Sequence, residues 1–233
     1  MLRWLAPLLL VACGGTDDTD GSSATPAEPV DIQIVLTNVS TPGSLQSSAG
    51  TDDHVFAPGI AVVHDEDWAL FALGIPADAG LEALSEDGNN VPLIDTLEGA
   101  GAVDVASFAA KDESYEDAPM LPGDEATLWV QAIPGDHLTV ATMVGQSNDW
   151  FAAVVPGGFP LFDEAGEVRV GDHTAELRFY DAGTEVDGEY GAGPDQAPRQ
   201  AGPDTGATED GYVDELAELP AVESLLRLEI RVE

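Results

Sequence analysis

Cysteine is nearly missing from this 233-residue chain, with Cys13 its only example. A lone cysteine excludes any internal disulfide, so the folded part must be held by packing and hydrogen bonds alone. Basic residues are almost as scarce: seven Lys and Arg stand against 44 Asp and Glu, a formal net charge of −37, and Lys111 is the single lysine. That shortage argues against nucleic acid as a partner, because gripping phosphates takes clustered Lys and Arg. Anionic lipid headgroups are repelled as well unless a divalent cation bridges them. Also absent are a G-x-S-x-G elbow, a P-loop, a dinucleotide-binding glycine pattern, an HExxH helix and an EF-hand loop. The histidines, His54, His64, His137 and His173, stand apart, and none has a cysteine beside it for zinc. The sequence therefore reads as a binding protein and not an enzyme. A secreted hydrolase of envelope polymers, using two of the many carboxylates, is the alternative. A structural surface protein without a metal, whose charge keeps it soluble in salt, is a further one.

What is present begins with residues 1–12 (MLRWLAPLLLVA), where Arg3 precedes a short apolar run. The run is too short to span a bilayer as a helix but suits the core of a secretory signal peptide. Small residues directly before Cys13 resemble a bacterial lipobox, which predicts lipidation of Cys13 and an extracytoplasmic protein. Gly15, where an inner-membrane lipoprotein would carry Asp, points to the outer membrane or cell surface. The membrane is then touched only through this anchor. Residues 13–30, rich in Gly, Ser, Thr, Asp and Pro, read as a flexible acidic tether. Residues 31–233 are long enough for one sizeable core and one domain.

Within that domain, residues 31–39, 57–64, 103–108, 126–133, 137–144, 150–155, 175–180 and 225–232 are expected strands, several with period-two alternation. Residues 168–170 add further strand material, and residues 68–73 form another short apolar segment ended by Gly74 and Pro76. Residues 77–86 read as a helix with Leu81 and Leu84 on one face, Glu82 and Glu86 outside, and Gly88 as its stop. Residues 92–97 suggest another helical turn. Residues 192–211, rich in Pro, Gly and Asp with almost nothing apolar, read as a long surface loop. Many short strands separated by turns predict an all-β fold, an antiparallel β-sandwich with one or two short helices.

The informative stretch runs from His137 to Glu189. Two apolar runs each empty into an acidic, Gly-containing loop: Asn148, Asp149 and Trp150 in the first, and Asp181, Gly183, Thr184, Glu185 and Asp187 in the second. If the two strands lie side by side, the loops meet at one end of a sheet and present several carboxylates to a hard cation such as Ca2+. The competing reading is that these are ordinary turn residues in a very acidic chain. Trp150 and Phe151 are either an exposed contact pair or, as we favour, a core-facing anchor. The cluster from His64 to Asp67 reads as a solvated turn.

Three segments together, GLEALSEDGNN with Pro92, SNDWF and YDAGTEVDGE, resemble the spondin N-terminal domain, a module of extracellular matrix proteins also found in secreted bacterial proteins. The likeness covers roughly residues 31–233. It implies a C2-like β-sandwich with a calcium ion held by loops at one end, and carries the ligand role onto Asp149, Asp181 and Glu185, with Asp187 beside them. Glu185 stands where the animal proteins commonly have Asp. The implied function is adhesion to, or recognition of, a surface component: a protein, a polysaccharide or calcium-bridged lipid.

Overall fold

The computed structural model describes residues 27–97, 104–112, 115–217 and 219–232. The expected signal peptide, Cys13 and all but the last four residues of the tether lie outside the described residues. In chain order come β1 (Val30–Asn38), β2 (Leu45–Ser47), β3 (Gly50–Asp52) and β4 (Phe56–His64), then helices α1 (Ala79–Asp87) and α2 (Val91–Leu97). The middle of the chain supplies β5 (Asp104–Phe108), β6 (Ala110–Asp112), β7 (Tyr115–Ala118), β8 (Glu125–Ala132) and β9 (His137–Val144). The rest contributes β10 (Trp150–Val154), β11 (Phe159–Pro160), β12 (Gly171–Asp172), β13 (Leu177–Asp181), β14 (Asp214–Glu215) and β15 (Leu226–Arg231).

These strands form an antiparallel all-β sandwich. One sheet runs β12-β15-β1-β8; the larger runs β14-β13-β10-β9-β4-β5, with β11 also paired to β9. The ribbons β2-β3 and β6-β7 stand apart from both. Each described pairing is antiparallel, and only β2-β3, β6-β7 and β9-β10 join neighbours through short turns; the other pairings link strands distant in the chain.

The two sheets solve burial differently. Strand β8 alternates strictly, with Ala126, Leu128, Val130 and Ala132 inward and Trp129 out in solvent, because one face of its sheet packs and the other is wet. Strand β10 is buried at every position. Its Trp150, Ala152 and Val154 enter the core between the sheets, and Phe151 and Ala153 enter a second core on the outer face. Helices α1 and α2 close that second core through Leu81, Leu84, Leu93 and Leu97, with Phe71 packed edge-on against Phe151 and Tyr180.

Helix α1 starts where the Asp78 carboxylate accepts from the Gly80 and Leu81 backbone N–H groups at 3.0 and 2.9 Å, and stops at Gly88. Asp78→Ala is expected to cost about 1 kcal/mol in chemical denaturation, the usual loss for an N-cap.

The apolar segment 68–73 is a loop that seats Phe71 over the second core, and the following Gly74 and Ile75 exchange backbone hydrogen bonds with Val213. Two sequence expectations need correction. Residues 168–170 contribute only a bridge from Val168 to Phe162, and the edge strand β12 begins directly after them at Gly171. The Pro/Gly-rich segment 192–211 is not wholly superficial, since Gln196 is fully buried within it.

Candidate functional site

Strand β10 begins and β13 ends at the same edge of the larger sheet, because Trp150 pairs with Asp181 across the antiparallel ladder. Asp149 is therefore delivered beside Asp181, and the Ala182 N–H donates to the Asp149 carbonyl at 3.2 Å. The turn before β10 is fixed by Ser147, whose hydroxyl donates to the Val144 carbonyl at 2.6 Å and accepts from the Trp150 N–H at 3.0 Å. The two acidic loops meet at one end of the sheet.

Asp149 has no exposed surface. Its Oδ2 accepts from the Thr184 N–H at 2.7 Å, the Glu185 N–H at 3.1 Å and the Thr184 hydroxyl at 3.2 Å, so it organises the second loop around itself. Its Oδ1 is buried with no hydrogen-bond partner. The Trp150 indole N–H is likewise buried without a completed hydrogen bond, although it lies close enough to Asp187 to favour that carboxylate's charge. An orphaned buried polar atom costs about 1–3 kcal/mol, and in native proteins it typically marks strain, catalysis, or a bound water or ion.

The electrostatics agree on crowding. Burial, and then the Asp149 charge, pushes the Asp181 carboxyl up to about 6. Burial followed by the charges of Asp181 and Asp149 pushes Asp187 up to about 7. Asp149 is itself raised by burial against the pull of its three hydrogen bonds. Among the described residues the ion pairs engage Arg178, Arg227 and Arg231 with Glu215 and Glu229, so no salt bridge neutralises this cluster.

The four expected ligands thus divide. Asp149, Asp181 and Asp187 share one neighbourhood, with Asp187 at its solvent edge. Glu185 donates its backbone N–H to Asp149 but turns its carboxylate to Asn148, whose Nδ2 donates at 3.1 Å. That carboxylate is seated against Gly206, where an added Cβ would coincide with it. Among the described residues no three His, Cys, Asp or Glu side chains stand in metal-holding geometry. The donor set fits a hard cation by chemistry, with oxygens only and one left unpartnered, while its members are adjacent without being closed around a point.

Sequence reasoning missed Glu86. Expected outside, it is only 5 % exposed, and burial pushes its carboxyl up to about 7 with Glu185, Glu82 and Asp149 adding to the rise. It lies about 140° around the helix from Leu81, off the apolar stripe. The Thr184 hydroxyl, brought over it by the second loop, is its hydrogen-bonding neighbour, and nothing local in sequence signals that contact. Glu86→Gln is expected to raise the metal-free protein's stability by about 1–3 kcal/mol at pH 8 and to change little at pH 5. The carboxyl is held largely protonated in the fold at pH 5, and an amide mimics that form. Denaturant titrations at the two pH values check it.

Gln196 and Asn148 complete the support. Asn148 Oδ1 accepts from the Gly188 N–H at 3.0 Å and from Gln196 Nε2 at 3.4 Å, and Gln196 Nε2 also donates to the Glu189 carbonyl at 2.9 Å. Trp150 and Phe151 are buried anchors, as favoured from the sequence. His64 belongs to no solvated turn: it is buried, with one ring nitrogen on the Asp65 carbonyl and the other on the Thr139 hydroxyl, and only residues 65–67 are exposed. No protein-family model matches the chain, and no curated protein matches it significantly.

Proposed function

We propose that this chain is a calcium-binding recognition module of the spondin N-terminal type, a C2-like sandwich whose ion lies between the loops after β9 and β13. The observation that carries the reading is Asp149 Oδ1, a fully buried carboxylate oxygen without a partner, set beside Asp181 and Asp187 with no neutralising base. Asp149, Asp181 and Asp187 would hold the ion, which supplies the positive charge that the cluster lacks. Glu185 serves mainly as a brace through Asn148, which departs from the ligand role the resemblance implies. Mutual repulsion explains why the carboxylates stand adjacent but not closed, and a cation reverses that repulsion.

On the sequence of residues 1–13, the module is lipid-anchored through Cys13 at the outer membrane or cell surface. Its task there is recognition of another surface component, whether protein, polysaccharide or calcium-bridged lipid, and not turnover.

Calorimetric titration of the chelator-stripped full chain with CaCl2 tests the metal claim. The expected result is saturable heat and a higher melting temperature, with magnesium weaker because it demands stricter octahedral geometry. No heat, together with an unchanged melting temperature after chelation, removes it.

A further inference from the structure

A second concavity, of about 400 Å³, lies where β4, β9, the end of α1 and two loops converge, and the calcium reading does not use it. A β-bulge builds it. Phe56 pairs with Val144 and Gly59 with Thr142, so Ala57 and Pro58 together face Met143 alone. The Thr142 hydroxyl donates to the Ala57 carbonyl at 2.6 Å and pins the bulge. Proline is tolerated there because a bulge interrupts the ladder and needs no N–H from it. The bulge turns Ala57 and Pro58 into a wall.

The remaining lining is mainly apolar and stiff. Pro119 and Pro198 contribute no N–H donors, Met143 gives a polarizable floor, and Leu121 stands at the rim 47 % exposed. The two polar side chains in the lining are Gln146 and Asp87. Gln146 is already committed, donating to Asp52 and accepting from Arg199. Asp87 accepts one hydrogen bond, from Gln200 Nε2 at 2.8 Å, and among the described residues it has no salt-bridge partner. It is also the last residue of α1, where a negative charge opposes the helix dipole. An apolar cavity of ligand-binding size with one anionic group that holds a single hydrogen bond and, among the described residues, no cation is a recognition site of definite polarity.

We infer that this pocket binds a small organic cation: an apolar body seated between Pro58, Met143 and Leu121, with one ammonium or amidinium group on the Asp87 carboxylate. The size of the cavity suits a small molecule, and the chain's charge of −37 favours a cation's approach and disfavours an anion's.

Three probes with the same apolar body test it on the full chain: 2-naphthylmethylammonium, 2-naphthylmethanol and 2-naphthoate, followed by calorimetry without added divalent cation. The ammonium is expected to bind saturably, the alcohol about tenfold more weakly, and the carboxylate not at all. Asp87→Asn, which keeps an oxygen for Gln200, should bring the ammonium down to the alcohol's affinity and leave the alcohol unchanged. Leu121→Gln, at an exposed position where folding is not at risk, should weaken both alike. Equal binding of all three probes, binding of none, or an ammonium preference that survives Asp87→Asn would overturn the proposal.

Discussion

Asp149→Asn is expected to abolish the calcium response while leaving the metal-free protein as stable as the wild type, or more so by about 1–3 kcal/mol. An asparagine oxygen can still accept from the Thr184 and Glu185 N–H groups, so the second loop keeps its organiser. Its amide places donors where Oδ1 is now orphaned, facing Asp181 and Asp187. Wild-type protein should gain about 2.7 kcal/mol at calcium one-hundredfold above Kd, and the variant should gain nothing. Melting curves in chelator and in calcium read both effects.

The same variant has a pH signature. In the fold Asp181 is raised from 3.8 to about 6 and Asp187 from 3.8 to about 7, so the folded chain holds more protons than the unfolded one across that range. Metal-free stability is then fullest below about pH 4 and declines as pH rises towards 7. Asp149→Asn removes one of the repelling charges and should flatten that decline.

The second large effect is at Gly183. Its φ of +67° is a left-handed conformation, and an added Cβ would meet the Tyr212 N at 2.5 Å, the Tyr212 O at 2.8 Å and the Gly211 carbonyl carbon at 2.9 Å. These are backbone atoms that the Gly211 N–H to Gly183 carbonyl hydrogen bond, at 2.9 Å, holds in place. Relief by a side-chain shift is therefore closed, and Gly183→Ala must displace either this loop or residues 211–212. The expected cost is about 3 kcal/mol or more, a fall in melting temperature of roughly 6–12 °C in a domain of this size. Gly157→Ala is the control. It has a φ of +88° with nothing within 4 Å of the added Cβ, so it reads the conformational term alone and should cost about 1–2 kcal/mol. Equal losses at the two positions would show that the close approach to Tyr212 is unimportant.

Much of the sandwich was legible because half-buried strands such as β8 carry their burial as alternation. The meeting of Asp149 and Asp181 was legible for a related reason: each acidic loop abuts a recognisable strand, and two antiparallel neighbours bring such loops to one edge. What stayed hidden was decided by contacts distant in sequence. Glu86 looks solvent-facing on its own helix, yet it is buried beside Thr184, Glu185 and Asp149, which lie some sixty to a hundred residues later. Gln196 sits in a segment with no apolar pattern, yet an amide that bridges Asn148 and Glu189 needs none. Glu185 was grouped with the ligands through the resemblance of its DAGTE segment, but its side chain follows the Asn148 hydrogen bond instead. Pro58 read as part of a plain strand because a bulge depends on register and not on composition.

The most direct measurement is anomalous diffraction from crystals of the protein grown with calcium. The account predicts a single strong peak about 2.3–2.6 Å from Asp149 Oδ1, with oxygens of Asp181 and Asp187 in the same coordination sphere. No peak at that position under saturating calcium, with the carboxyl groups of Asp149 and Asp181 instead sharing a proton, would contradict it.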